Sequence, residues 1–297
     1  MLGAVFVVLT SIQFGSVVIL GKIAFRRGLP VTSLLAVRFG IAAGLLALAL
    51  VVLRLPIAAA KGEGQRLVVL GMAGYALEAA LFFAGLRHGT AAAVTLLFFT
   101  YPVLVALVAL LAGKGLPGWL LGGALAFAMV GSALVVLASG GVDVEAIGVV
   151  FALGSSFTYA LYLVGAEAVL KETNSLAGAL WVSASAAIAL GAVSLASGSG
   201  RWPHGVKEWV PVVGMGVFTA GAFATLFAGL RRLGAIRTAI LSATEPLTAA
   251  ILAVVFLGEK IRPGTVTGGA LILAGAVAAS LARRPPPLAS RVEPPGP

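Results

Sequence analysis

Apolar runs of membrane-spanning length follow one another along this chain as far as residue 282. About 20 consecutive apolar residues in a helix cross the hydrocarbon layer of a bilayer. Lipid offers no partner to backbone N–H and C=O groups, so a spanning segment must pair them internally. Ten such runs can be read: 2–21, 31–53, 67–86, 90–112, 118–138, 147–169, 176–197, 209–230, 235–257 and 265–282. Clusters of Gly, Pro and charge separate them, among them Arg26-Arg27-Gly28-Leu29-Pro30, Lys61-Gly62-Glu63-Gly64 and Arg262-Pro263-Gly264. Alternation with period 2 is not sustained, which argues against a β-barrel. The expected class is an all-α membrane protein of ten transmembrane helices.

Composition narrows the function. Of 297 residues, 60% are hydrophobic and 10% charged, whereas a soluble domain carries about 25% charged residues. A soluble enzyme is excluded, and so is a disordered chain. The net charge of +10 would suggest nucleic acid in a soluble protein; here it reads as basic loops that orient helices, with no nucleic-acid partner. Cysteine is absent, so there is no thiol nucleophile or thiolate metal site. The first run lacks a basic leader and a small-residue cleavage site, and reads as a retained helix. Residues 285–297, rich in proline, read as a disordered tail. Ten crossings put both ends on one side. With that side cytoplasmic, eleven bases lie inside and eight outside, a weak preference for cytoplasmic termini in the cell inner membrane.

The chain repeats itself. Gly85-Leu86-Arg87 returns as Gly229-Leu230-Arg231, and 229 − 85 = 144. Pro102 and Pro246 keep the same offset, as do Gly131 and Gly275. Leu111-Ala112-Gly113-Lys114 matches Phe256-Leu257-Gly258-Glu259 at an offset of 145. The expected units are 1–142 and 143–284, five spans each. Five is odd, so the second unit enters the membrane inverted, the arrangement of secondary transporters whose site lies between halves at the midplane.

These motifs resemble the EamA family of the drug/metabolite transporter superfamily. The carriers are Arg38-Phe39, Gly85-Leu86-Arg87, Tyr101-Pro102-Val103, Glu245-Pro246-Leu247 and Phe256-Leu257-Gly258-Glu259. The first repeat departs at Lys114, where an acidic residue is usual. The resemblance implies a ten-helix exporter of metabolites or drugs, and aromatic amino-acid exporters of the YddG type belong to this group.

Candidate site residues follow from the cost of polar groups in lipid, about 2.5–3.5 kcal/mol per buried charge on insertion scales. Arg38, Glu78, Glu167 and Glu245 lie within runs. Glu245 precedes Pro246, which removes a backbone hydrogen bond, and shares a face with Thr238 and Ser242. It reads either as a binding and coupling carboxylate or as a brace paired with Arg38. Glu78 shares a stripe with Tyr75 and Phe82 and carries the same two readings. Arg38 suits a substrate carboxylate, or an ion pair with Glu78 or Glu245. Glu167 reads as a surface pair with Lys171. Gln13, Thr95, Phe98, Phe99, Ser155, Tyr159, Tyr162, Trp181 and Ser242 could line a cavity, with Thr158 and Ser185 adjoining, or could join helices. Pro102 and Pro246 mark helix kinks. Gly118/Gly122 and Gly71/Gly74 read as close helix packing.

No phosphate-binding loop or His-Glu-x-x-His is present, and His88 and His204 lie at span ends or loops, away from Ser155 and Ser156, so no cofactor, metal or enzymatic role is expected. The expected function is secondary transport of a small organic metabolite, an amino acid first, driven either by proton exchange through Glu245 or Glu78 or by facilitated flow, with the protein a monomer or weak dimer. A multidrug or nucleotide-sugar carrier is the alternative, and a membrane-embedded transferase the rival from another class.

Overall fold

The computed structural model describes residues 2–25, 27–114, 117–139, 143–198, 200–257 and 261–282; the expected tail lies outside them. Among the described residues the apolar runs fold as thirteen α-helices with one π-helical turn. These are α1 (Leu2–Phe25), α2 (Val31–Val52), α3 (Gly64–Val69), the π turn (Leu70–Ala76), α4 (Leu77–Gly85), α5 (Ala91–Phe98), α6 (Tyr101–Leu111) and α7 (Trp119–Ser139). Then come α8 (Ala146–Val169), α9 (Ser175–Ala196), α10 (Gly205–Leu233), α11 (Ala235–Ser242), α12 (Thr244–Leu257) and α13 (Pro263–Leu281). Among the described residues nine helical stretches are long and apolar enough to cross a membrane. Two shorter helices, α11 and α12, together make one more, the ninth in chain order. The face on which α1 begins is the near face; the other is the far face.

Local chemistry sets the ends. Thr90 accepts the amide of Ala93 at 3.2 Å at the start of α5, and Asn174 accepts that of Leu176 at 2.8 Å at the start of α9. Such caps satisfy donors that a helix leaves free in its first turn. Gly234, at φ 81°, turns α10 directly into α11, a backbone that suits glycine.

The fourth and ninth crossings are interrupted just before the two prolines, at Phe99–Thr100 and at Ala243. Pro102 and Pro246 lack the N–H that would bond the carbonyls of Phe98 and Ser242. Each break is closed the same way: Thr100 donates its hydroxyl to Leu97 O at 2.7 Å, and Thr244 donates to Leu241 O at 2.8 Å. The two threonines and the two carbonyls keep the offset of 144.

Helix pairing follows a pattern that survives replacing each crossing by the one five further on. The first crossing, α1, packs on the eighth, α10, as the sixth, α8, packs on the third through α4. Within the pattern α2 pairs with α9, α7 with α13, and α6 with α11. The fold is thus ten helical crossings in two inverted sets of five. The α7–α13 seam runs on glycine: a Cβ on Gly131 would lie 2.6 Å from Gly268 O, and one on Gly268 would lie 2.6 Å from Gly131 O. Gly71 is likewise pressed against Val182 and Ser185 of α9, and Gly74 against Tyr162. Gly118 and Gly122, expected in a packed seam, have nothing within 4 Å of an added Cβ; they sit in open space at the start of α7.

Candidate functional site

The buried charges gather at the centre from separate crossings. Arg38, on α2, is 4% exposed. Its Nε donates to Thr219 Oγ1 at 2.7 Å, and its guanidinium lies 4.8 Å from the centre of the Phe39 ring. Glu78 lies in the first turn of α4, directly after the π turn, and accepts Ser155 Oγ from α8 at 3.1 Å. A π turn inserts an extra residue and re-aims the side chains beyond it, and such turns recur at functional sites. Glu245 is the second residue of α12, half-buried, and among the described residues it has neither a hydrogen bond nor an ion pair. Arg38, Glu78 and Glu245 lie within electrostatic reach of one another. The expected ion pair is not formed: no bridge within 4.0 Å joins Arg38 to either carboxylate. Thr219 takes its place as the partner of Arg38.

Aromatic rings enclose these groups, and all four tyrosines of the chain take part. Tyr75 lies 4.6 Å from Phe223, 5.2 Å from Tyr162 and 5.5 Å from Phe39 between ring centres. Tyr159 lies 4.8 Å from Tyr101 and 5.5 Å from Phe98. Phe82 and Phe99 each touch Phe98. Two hydroxyls, those of Tyr162 and Thr238, are buried without a hydrogen-bond partner. A buried hydroxyl left so costs about 1–3 kcal/mol. The centre therefore offers one guanidinium, two carboxylates and spare hydroxyls on an aromatic wall, the mix that holds a small polar molecule with an apolar part.

Other candidates lie apart from this centre. Gln13 donates to Leu9 O at 3.0 Å and to Thr225 at 3.4 Å, packed beside Gly221 in the α1–α10 seam. Trp181 donates its indole N–H to Ile57 O at 3.1 Å, toward the near face. Thr158 and Ser185 bond back into their own helices, and Thr95 lies one turn before Phe98 on α5. Glu167 does not pair with Lys171; it holds Lys114 Nζ at 2.7 Å, because α6 ends beside it. Thr219, Phe223 and Phe227 were not singled out from the sequence, although their spacing of i, i+4 and i+8 marks one face of α10. Among the described residues no group of three or more His, Asp or Glu could hold a metal.

The model of the EamA-like transporter family matches residues 1–137 and again 146–281. The uncharacterized transporter YwfM of Bacillus subtilis (strain 168) is 29% identical over 164 residues. That stretch is 53% of this chain and 53% of YwfM, so the alignment spans about half the length of each. A solved crystal structure superposes with a TM-score of 0.80 at 22% identity, over 94% of this chain and 98% of its own. Likeness at that identity carries the fold alone.

Proposed function

Because the chain belongs to the EamA-like transporter family, we propose that it carries amino acids with aromatic or other apolar side chains out of the cell by alternating access. The cell inner membrane, with cytoplasmic termini, is its proposed location. The observation that supports this reading is the unpaired state of the central charges. Arg38 could hold a carboxylate and Glu245 an ammonium group, while Tyr75, Tyr101, Tyr159 and Tyr162 face the side chain. Glu245 then exchanges an ammonium group for a proton, which couples the two fluxes.

The count of charges favours one second reading. Two carboxylates against one guanidinium suit an organic cation, as in a multidrug carrier, and oppose the phosphates of a nucleotide sugar. Counterflow in proteoliposomes separates these readings with a panel of phenylalanine, leucine, a nucleotide sugar and a quaternary ammonium dye. Exchange of the amino acids alone is the expected result; exchange of the dye alone replaces the proposal with the second reading. Glu245→Gln should abolish the dependence of exchange on pH. A variant with the wild-type pH profile removes Glu245 from the coupling role.

A further inference from the structure

At the near face, residues 167–173, which end α8 and lead into α9, are bound by both five-helix sets. Glu167 Oε2 takes Lys114 Nζ at 2.7 Å and the backbone N–H of Ala235 at 2.9 Å. One carboxylate thus joins the segment after α6, the last turn of α8 and the first residue of α11. Further along, the Glu63 carboxylate, 8% exposed, accepts three successive backbone N–H groups: Lys171 at 3.2 Å, Glu172 at 3.0 Å and Thr173 at 3.0 Å. Thr173 Oγ1 in turn accepts the amide of Ala60 at 2.9 Å. Arg231, in the last turn of α10, donates to Thr173 O at 2.8 Å and Lys171 O at 3.2 Å.

Among the described residues the far face carries fewer charge-assisted bonds between the two sets, beside a buried Ser33–Ser194 hydroxyl bond of 2.8 Å between α2 and α9. Residues 88–90 meet 143–145 through backbone bonds and the exposed His88–Glu145 pair, and Arg201 donates to Arg27 O at 3.1 Å. On the near face the polar partners Glu63 and Thr173 are buried, and both carboxylates accept charge-assisted bonds, the stronger kind. The clasped segment also adjoins two helices that line the centre. It ends the helix that carries Ser155, Tyr159 and Tyr162, and it caps the helix that carries Thr238 and Ser242.

We propose that residues 167–173, held by Glu63 and Lys114, form a clasp that keeps the near face shut, and that its release opens the polar centre to that side. This rests on the alternating-access reading of the family, not on the identity of the cargo. Native cysteine is absent, so Thr238→Cys serves as a reporter one turn into α11. In oriented proteoliposomes a membrane-impermeant maleimide applied at the near face should label it about tenfold faster once Glu63→Gln or Lys114→Met is added, as loss of one charged bond implies. Labelling from the far face should fall, and Lys114→Arg should keep the parent rate. Unchanged rates on both faces overturn the proposal, and so does an equal rise on both, which marks a loosened fold. Lys114 is partly exposed, so its variant decides the question if Glu63→Gln fails to fold. The readout needs no cargo, so failure of the clasp and failure of the amino-acid reading are told apart.

Discussion

Glu245 has the least company of the three central ionisable groups, since Arg38 has Thr219 and Glu78 has Ser155. All three could be marked from the sequence because charges are scarce in apolar runs. Their partners could not, because the residue that faces a side chain depends on helix rotation and on which helices meet. Thr219 stands 181 positions from Arg38, a separation that no periodicity reports. Thr219→Val keeps the volume and removes the acceptor, leaving a buried charged donor short of one bond, at a cost of about 1–3 kcal/mol. A fall of that size in detergent-solubilised stability is the expected outcome, together with weaker binding of any carboxylate cargo. Thr219→Ser should restore both. An unchanged Thr219→Val protein would show that the contact contributes nothing.

The two broken crossings show where an element can and cannot be read in advance. Both prolines are visible in the sequence, at matching places in the repeat. Whether a proline bends a helix or divides it depends on how the turn around it is held, and here Thr100 and Thr244 donate their hydroxyls to Leu97 O and Leu241 O, each next to a carbonyl that the proline frees. The π turn left no comparable trace; Gly71 within it is packed closely against α9, a contact that exists only after folding. Pro246→Ala returns an N–H to Ser242 O and favours a continuous helix. Its expected effect is a loss of about tenfold or more in exchange rate with stability kept or raised, measured by counterflow beside thermal unfolding. Transport at the wild-type rate would separate the break from function. The α7–α13 seam answers to different physics. Gly268→Leu drives a side chain into Gly131 O and Leu134 and should destabilise by about 1–3 kcal/mol, whereas Gly122→Leu meets open space and should not.

Across the whole molecule, class and crossing number follow from apolar run length alone, and the inverted sets from the 144-residue register. The ties between loops do not, because Glu63 gave no signal beyond being a charge in a Gly-flanked break. Its carboxyl sits below the ordinary value of 4.5: burial opposes ionisation, but bonds from Thr173, Glu172 and Lys171 outweigh it. A folded-state value below the unfolded one adds stability at pH above the unfolded value, and that stability is lost as pH falls through the folded one. Thermal unfolding between pH 7 and pH 3, a range of about four units spanning the carboxylate region, should show an acid-side drop that is smaller in Glu63→Gln. Equal drops in both proteins would remove Glu63 from the acid response.

The register of the two breaks carries one more consequence. Glu245 corresponds to Tyr101, and Glu78 to Ala222, at the offset of 144. The frame has no inside or outside of its own, since turning it over returns the same pairing of crossings. Sidedness is then written in a few side chains on a reversible scaffold. Exchanging Tyr101 with Glu245, and Glu78 with Ala222, would move the acidic hinge to the other half and turn the molecule's polarity over without redrawing its architecture.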